Sequence, residues 1–141
     1  MKNVSPILLL AFCGVILMAC QSTNEEMTLL DNIEHVTISK SIGYREFNED
    51  YLDSINGATA INGFEDVLKS AKGVKQEIDV TKEKPDYDIM IYYENGDTHL
   101  LHLALGSKDQ ESQFMYMGHE KNVFIVSSEY TNKLRNILDV R

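Results

Sequence analysis

Cysteine is scarce in this sequence and confined to its first twenty residues. The chain has two cysteines, Cys13 and Cys20, among 141 residues. A domain formed by the residues after Cys20 therefore contains no disulfide bond, no cysteine nucleophile and no cysteine-ligated zinc. The sequence also lacks a glycine-rich phosphate-binding loop, the nucleophile elbow of serine hydrolases and the paired histidines of zinc proteases. The common sequence signatures of catalysis are thus absent.

Basic residues are also in short supply. Lysines and arginines number 13 against 22 aspartates and glutamates, which gives a formal net charge of −9. Nucleic acids and anionic lipid surfaces are polyanions, and they repel such a protein. We therefore expect no nucleic-acid partner. Any attachment to a membrane has to come from something other than a basic surface.

The beginning of the sequence contains a short apolar run. The charged amino terminus and Lys2 precede residues 7–19, which are all apolar or small, and polar residues follow. A permanent transmembrane helix needs about 20 apolar residues, so this run is too short to span a bilayer comfortably. The arrangement is typical of a signal peptide that is removed on secretion.

The end of the apolar run, Leu17-Met18-Ala19-Cys20, resembles the lipobox of bacterial lipoproteins. This resemblance implies that signal peptidase recognises Leu17 and Ala19, cleaves before Cys20, and leaves the Cys20 thiol carrying a diacylglyceryl group. It also implies an extracytoplasmic location on the outer face of the cell membrane, held there by acyl chains. The alternative is an ordinary secretory leader in which Cys20 is incidental.

Three regions follow from this interpretation. Residues 1–19 form the signal peptide, 20–30 form the lipidated cysteine with a polar tether, and 31–141 form a single domain. The last region is long enough for one hydrophobic core but not for two.

Hydrophobic periodicity predicts the elements of this domain. Alternation of apolar and polar residues predicts strands at 34–42, 74–80, 112–117 and 123–127. Residues 44–56 are ambiguous between a short helix and an ordered loop, because their helical spacing is followed by two Asn-Gly breaks.

Capping residues predict two helices. Asn62 is placed to cap a helix that Gly73 stops, with Glu65 as the reciprocal capping partner. Ser127 or Ser128 is placed to cap a C-terminal helix. Its inward residues are expected to be Tyr130, Leu134, Ile137 and Leu138.

The strongest local pattern is a hairpin over residues 87–105 with Asn95-Gly96 at its tip. A two-residue turn would place the apolar residues of its strands on opposite faces. A loop longer by one residue, with Gly96 left-handed, pairs Tyr93 with Asp97 and Ile89 with Leu101. This second register collects seven residues on one face: Tyr87, Ile89, Ile91, Tyr93, Leu101, Leu103 and Leu105.

The order of elements predicts an α+β domain: an antiparallel β-meander sheet with one middle helix and a C-terminal helix packed on it. The pattern from Pro85-Asp86-Tyr87-Asp88 through Asn95-Gly96 and Leu105-Gly106 to the final serine-initiated helix resembles the small YhfM-like lipoproteins of Bacillus and relatives. The resemblance implies a monoderm, extracytoplasmic setting. It implies no reaction and supplies no catalytic residues.

The histidines are the first residues to consider for chemistry. His99 and His102 are three apart on a predicted strand, so they point to opposite faces and do not share a metal ion. In the preferred register His102 lies across from Asp88 on the non-core face, where we expect a surface ion pair. His35 and His119 are isolated and predicted to be surface residues. We therefore predict no metal site, no catalytic residues and no cofactor.

Aromatic residues suggest one further site. Tyr92, Tyr93 and Tyr116 belong to an aromatic concentration in the predicted sheet. Most of it is expected to be core, and these three tyrosines are the candidates for a ligand or partner surface.

Three functional hypotheses remain open. The leading one is a membrane-anchored, non-enzymatic domain that binds an envelope protein, a peptide or another envelope component, so we predict that the domain is not an enzyme. The second is a small metal-binding or hydrolytic surface enzyme that uses Asp88 and His102. The third is an inhibitor or immunity-type lipoprotein, because an acidic compact domain suits a basic target.

Overall fold

The computed structural model describes residues 25–76 and 78–140, so the predicted signal peptide and Cys20 lie outside the described residues. The described chain folds into one antiparallel sheet with two helices. Its elements are β1 (Ile33–Lys40), β2 (Tyr51–Ile55), α1 (Ala58–Ser70), β3 (Lys72–Lys75), β4 (Tyr87–Tyr93), β5 (Thr98–Ala104), β6 (Ser112–Tyr116), β7 (Asn122–Val126) and α2 (Ser128–Ile137). The strand order is β2-β1-β4-β5-β6-β7-β3. The predicted α+β fold with a middle and a C-terminal helix is confirmed.

The main core lies on the sheet face covered by α1 and α2. Alternate residues of the strands point toward the helices because side chains on a strand alternate between its two faces. Phe64 of α1 meets Phe114 of β6 edge to face, with ring centroids 6.2 Å apart. Full burial of such side chains contributes roughly 1.5–3 kcal/mol each. The largest fully buried members on this face are Val36, Phe64, Leu68, Ile89, Ile91, Tyr93, Leu101, Leu103, Phe114 and Leu134.

The hairpin of β4 and β5 has the predicted register. Ile89 is paired with Leu101, and the Tyr93 amide donates to the Asp97 carbonyl at 3.0 Å. Gly96 has a φ of 90°, the left-handed region that favours glycine. The extra residue in the loop therefore places the apolar residues of both strands on the core face, as predicted.

Residues 44–56 contain a strand, and the helical alternative for them is wrong. Residues 51–55 form β2, which pairs with β1 through Val36–Ile55 and Ile38–Asp53. Pairing with the open edge of β1 outweighs a weak helical pattern here, because β propensity depends strongly on context. At the outer edge of β2, the Ser54 amide donates to the Asp53 side chain at 2.7 Å.

The middle helix begins earlier than its predicted cap. Its N-cap is Gly57, with no side-chain cap, and Asn62 lies inside the helix. The predicted stop is also wrong, because α1 ends at Ser70 and Gly73 belongs to β3. β3 is only four residues long, shorter than the predicted strand. It pairs with β7 from Lys72–Ile125 to Lys75–Asn122.

The C-terminal helix is capped as predicted. The Ser127 hydroxyl accepts the Tyr130 amide, and Glu129 lies in the first turn, where the helix dipole favours an acid. Leu134 and Leu138 are buried, and Tyr130 and Ile137 pack on the core. β6 and β7 lie within one residue of their predicted bounds.

The second face of the sheet is partly covered by irregular chain segments. Tyr44, Met115 and Val123 form a small apolar cluster there, with Ile78 and Val80 packed against it. The chain that follows β1 and the chain that follows β3 thus act as covers for this face. Within the described residues, no helix is long and apolar enough to cross a bilayer.

Candidate functional site

Asp88 and His102 form a buried pair on the second face of the sheet. They are cross-strand neighbours, as predicted, and His102 Nδ1 lies 2.9 Å from Asp88 Oδ1. The other ring nitrogen, Nε2, lies 3.2 Å from the Tyr44 carbonyl oxygen. Asp88 and the Tyr44 carbonyl thus place an acceptor oxygen beside each ring nitrogen of His102.

The prediction that this pair lies on the surface is wrong. Both side chains are 0% exposed. The segment after β1 covers them: the Asn48 amide donates to Asp88 Oδ2 at 2.9 Å, and the Tyr44 ring meets the His102 ring edge to face. Hydrogen bonding of every polar side-chain atom is what makes such burial tolerable. The sequence did not reveal this cover because residues 41–50 form no helix or strand, and no local pattern gives the path of such a segment.

Because both side chains are buried, Asp88 and His102 are not accessible to a substrate. Glu120 is the next acid, with Oε1 3.9 Å from His102 Nε2. Across residues 25–76 and 78–140, no three histidine, cysteine or acidic side chains are grouped so as to hold a metal ion. The pair instead fastens the segment that contains Tyr44 and Asn48 to the sheet.

His99 lies on the opposite face of β5 and is the more accessible histidine. Its Nδ1 is 2.8 Å from the hydroxyl of Tyr93, which is only 1% exposed. A buried hydroxyl proton needs an acceptor, and among the described residues Nδ1 is the acceptor in reach. Tyr93 therefore donates to Nδ1, and this assigns the proton of neutral His99 to Nε2.

Burial holds both members of this hydrogen bond in their neutral forms. Desolvation lowers the pKa of His99, while the nearby Asp97 charge acts in the opposite direction. Desolvation raises the pKa of Tyr93 to about 12, with a backbone hydrogen bond from Leu30 opposing it. The Tyr93–His99 pair thus presents an uncharged Nε2–H donor.

Tyr116 fixes the N-terminal segment beside His99. Its ring centroid is 5.0 Å from that of His99, and its hydroxyl donates to the Thr28 carbonyl at 3.1 Å and accepts the Thr28 amide at 3.0 Å. Upstream, Glu26 bridges to Lys72 at the β3 edge, and Met27 is buried. The described part of the predicted tether, residues 25–30, therefore lies against the domain.

An open groove of about 540 Å³ lies beside these residues. It forms because β6 leaves β5: the last hydrogen bond runs from the Met117 amide to the Leu100 carbonyl, and Gly118 then turns with a φ of 84°. Thr98 lies beyond the last residue pair between β5 and β6, so the side of its backbone that would pair with β6 faces the groove. The groove is lined by Thr28, Thr98, His99, Leu100, Tyr116, Met117 and His119.

The three candidate tyrosines do not form one surface. Tyr116 lines the groove and Tyr93 lies behind its histidine, but Tyr92 is on the other face of the sheet. There Tyr92 stacks on His35 at 4.2 Å between ring centroids and shares a 3.3 Å hydroxyl contact with Tyr51. Their role in binding stays a prediction.

Sequence reasoning missed His99, His119 and Thr28 as neighbours in a groove. The hairpin register did contain one signal, because it places His99 opposite Ile91 on the core face and diagonal to Tyr93. The contributions of Thr28 and His119 depend on the path of irregular segments, which no periodicity reports.

Comparison with known proteins identifies the family. The model of the YhfM protein family matches residues 31–141, and the chain therefore belongs to that family. No curated protein matches the chain. A solved structure described as a thioesterase-like protein from Clostridium sporogenes ATCC 15579 is similar in fold, with 18% identity and a TM-score of 0.59. The match covers 74% of this chain and 93% of that one.

The prediction that the domain is not an enzyme is wrong in light of this match. A protein described as thioesterase-like has the same fold, so the fold gives no reason to exclude catalysis. An identity of 18% shows the fold alone and transfers no activity to this chain.

Proposed function

We propose that this member of the YhfM family is a lipid-anchored, extracytoplasmic protein that binds a ligand in the groove beside His99. The anchor part of the proposal rests on the apolar leader and on the lipobox-like residues that end at Cys20. Two acyl chains are needed for stable attachment, since one gives only marginal membrane binding. A diacylglyceryl group supplies two.

The path of the N-terminal segment links the anchor to the groove. Five peptide units separate Cys20 from Glu25, and they span at most about 18 Å when extended. Glu25 is held at the β3 edge, because its carbonyl accepts the Gly73 amide at 2.8 Å. An anchored Cys20 therefore keeps the β3 edge of the domain close to the bilayer.

The observation that carries the binding proposal is the fixed Nε2–H of His99 in a groove with apolar walls. Tyr93 holds the ring, and Leu100 and Met117 supply apolar surface. The backbone edge of Thr98 adds further hydrogen-bonding groups. Apolar walls with a few oriented polar groups are typical of ligand sites. The matching ligand has an acyl or peptide carbonyl with an apolar substituent.

Site-specific photocrosslinking in intact cells tests the groove. A photoreactive residue at Thr98 should capture a ligand, and His99→Phe should abolish the capture because it removes the donor. The same reactive residue at exposed Lys84 is the control for position, and His35→Phe is the control for loss of an imidazole. Capture at Thr98 that is unchanged by His99→Phe would contradict the proposal.

Mass spectrometry tests the anchor separately. The mature protein should begin at Cys20 and carry a lipid adduct. Cys20→Ala should fold normally and lose stable membrane retention, since no basic patch follows and Glu25 and Glu26 are acidic. A mature terminus elsewhere, with a free Cys20 thiol, would overturn the anchor and leave the groove proposal standing.

A second candidate function is hydrolysis of an acyl thioester in the same groove. The observation in its favour is that a second imidazole, His119, lines the groove with His99, and the similar fold is described as thioesterase-like. His99 Nε2–H would polarise the acyl carbonyl while His119 takes a proton from water. The resulting hydroxide adds to the acyl carbon, the C–S bond breaks, and His119 returns the proton to the departing thiolate, so the products are the free acid and the thiol.

Thiol release from acyl thioesters measures this second function directly. His99→Gln and His119→Gln should each lower the rate by about 10²-fold or more, the typical contribution of a positioned acid, base or oxyanion donor. His35→Gln is the matched control and should retain the full rate. A rate equal to the uncatalysed one, or a loss shared by the control, rejects hydrolysis and leaves binding.

A further inference from the structure

Arg135 is held in position at the end of the domain where β5 terminates. Its Nη1 donates to the Gly106 carbonyl at 3.0 Å. The Gly106 amide in turn donates to the Ser112 hydroxyl, which accepts a hydrogen bond from Thr131, one helical turn before Arg135. Because this network fixes the guanidinium at one nitrogen, its other N–H groups remain available to a ligand.

The guanidinium lies between two adjoining cavities. The larger, about 420 Å³, is lined by Lys108, Asn132, Arg135, Asn136 and Val140. The smaller, about 190 Å³, is lined by Lys40, Asp86, Tyr87, Leu105, Arg135 and Val140. The larger cavity thus has two cationic side chains and two side-chain amides, and its lining contains no carboxylate.

The amide of Asn132 is also held in place. Its Oδ1 accepts the Asp109 amide at 2.9 Å, and its Nδ2 donates to Asp109 Oδ1 at 2.7 Å. Asp109 has a φ of 66°, a left-handed conformation uncommon outside glycine, and these two hydrogen bonds stabilise it. One N–H of the Asn132 amide therefore remains for a ligand in a fixed turn.

The cations around these cavities have no acidic partner. In the described part of the chain, Lys40, Lys108 and Arg135 form no ion pair with a carboxylate, and the same holds for Arg45, Lys75, Lys84 and Lys121. Ion pairs are formed by Lys69 with Glu65, Lys72 with Glu26, Lys82 with Asp79, and Lys133 with Asp66. What distinguishes Arg135 and Lys108 is that they line one cavity together with two side-chain amides and no carboxylate, which leaves their charge to an external anion.

We infer that the larger cavity binds a phosphate group. A guanidinium matches the oxygens of phosphate through parallel hydrogen bonds, Lys108 adds charge, and Asn132 adds an amide donor. The source is inorganic phosphate, a phosphodiester polymer or a lipid headgroup. β5 runs from the groove to the smaller, adjoining cavity, a distance of about 20 Å at 3.3 Å per residue. This inference does not depend on the proposed function.

Nitrogen-detected NMR of the full chain in neutral detergent tests the inference. The sequence has three arginines, Arg45, Arg135 and Arg141, so their side-chain Nε–Hε signals are few enough to assign. Inorganic phosphate at constant ionic strength should shift the Arg135 signal saturably and leave the Arg45 signal in place. Soluble poly(glycerol phosphate) and vesicles of phosphatidylglycerol, titrated in parallel, identify the source that binds more tightly.

Three variants separate a phosphate site from bare charge. Arg135→Lys keeps the charge but loses the planar fork, and it should weaken phosphate binding about tenfold, read from the remaining backbone shifts. The Lys108 side chain is exposed, so Lys108→Gln should not affect folding. It should weaken phosphate binding severalfold. Lys121→Gln is the matched control, because Lys121 and Lys75 line a cavity of about 370 Å³ without a guanidinium.

The inference is overturned by any of three results. Chloride could produce the same Arg135 shift as phosphate, phosphate could fail to saturate the shift, or Lys121→Gln could weaken binding as much as Lys108→Gln. In each case the cluster is a general positive surface. Weakening by Lys108→Gln and Arg135→Lys alone supports a built phosphate site.

Discussion

His99 and His102 lie three residues apart on one strand and have opposite surroundings. His102 is fully buried, and both of its ring nitrogens are occupied by a carboxylate and a carbonyl. His99 has one nitrogen held by Tyr93 and lines an open groove with the other side of its ring. The difference comes from what covers each face of the strand. A segment closes over His102, whereas β6 turns away from His99.

The largest expected effect comes from disrupting the buried Asp88–His102 pair. Asp88→Asn removes the buried carboxylate that bonds both the His102 ring and the Asn48 amide, so unfolding free energy should fall by about 3–5 kcal/mol. Denaturant unfolding measures it. His102→Gln should cost a similar amount, and the double variant should cost less than the sum because the two side chains share one hydrogen bond. A loss below about 1 kcal/mol, the value of an exposed pair, would contradict the buried pair.

A smaller effect is expected beside His99, where Tyr116 holds the N-terminal segment at Thr28. Tyr116→Phe removes the hydroxyl that both donates to and accepts from Thr28, and the net cost should be about 1 kcal/mol. Hydrogen exchange should report faster exchange at the Thr28 amide while the strand amides of β4 stay protected. Tyr92→Phe, on the other face, is the control. Equal acceleration in both variants would show that Tyr116 does not hold the segment.

The smallest expected effect is the pH dependence that His99 contributes. Its pKa is lowered in the folded protein, so the folded state binds fewer protons than the unfolded one below the ordinary histidine value of 6.5. Stability from this group is complete above pH 6.5 and is lost as the pH falls toward the folded pKa. The unfolding free energy of the wild type should therefore fall relative to that of His99→Gln as the pH is lowered below 6.5. An opposite slope would contradict a neutral His99.

Local patterns predicted much of the sheet, because strand alternation and turn chemistry act over a few residues. The register at Gly96 and the cap at Ser127 followed from such rules. The burial of Asp88 did not, since it depends on Asn48 arriving from forty residues away. The start of α1 at Ala58 was missed for a related reason: the helix packs against α2, and such tertiary packing outweighs the local capping signal at Asn62.

The candidate groove was the least predictable part of the molecule. Tyr93 and Tyr116 were identified as candidates from aromatic content, but their relation to His99 requires both the hairpin register and the departure of β6 at Gly118. Thr28 enters the groove only because the segment before β1 crosses the end of the sheet. Residues far apart in sequence are in contact there, and a local sequence pattern does not predict such contacts.

The two edges of the sheet bear on how copies of this protein behave when crowded. A lipid anchor would confine the protein to two dimensions, where open strand edges meet often and pair readily. At one edge, Glu25 and Glu26 already lie along β3. At the other, Asp53 occupies the Ser54 amide of β2 and adds a charge that repels a second copy. The sheet is therefore built to stay seven strands wide, and crowding on a membrane should not lead to edge-to-edge aggregation.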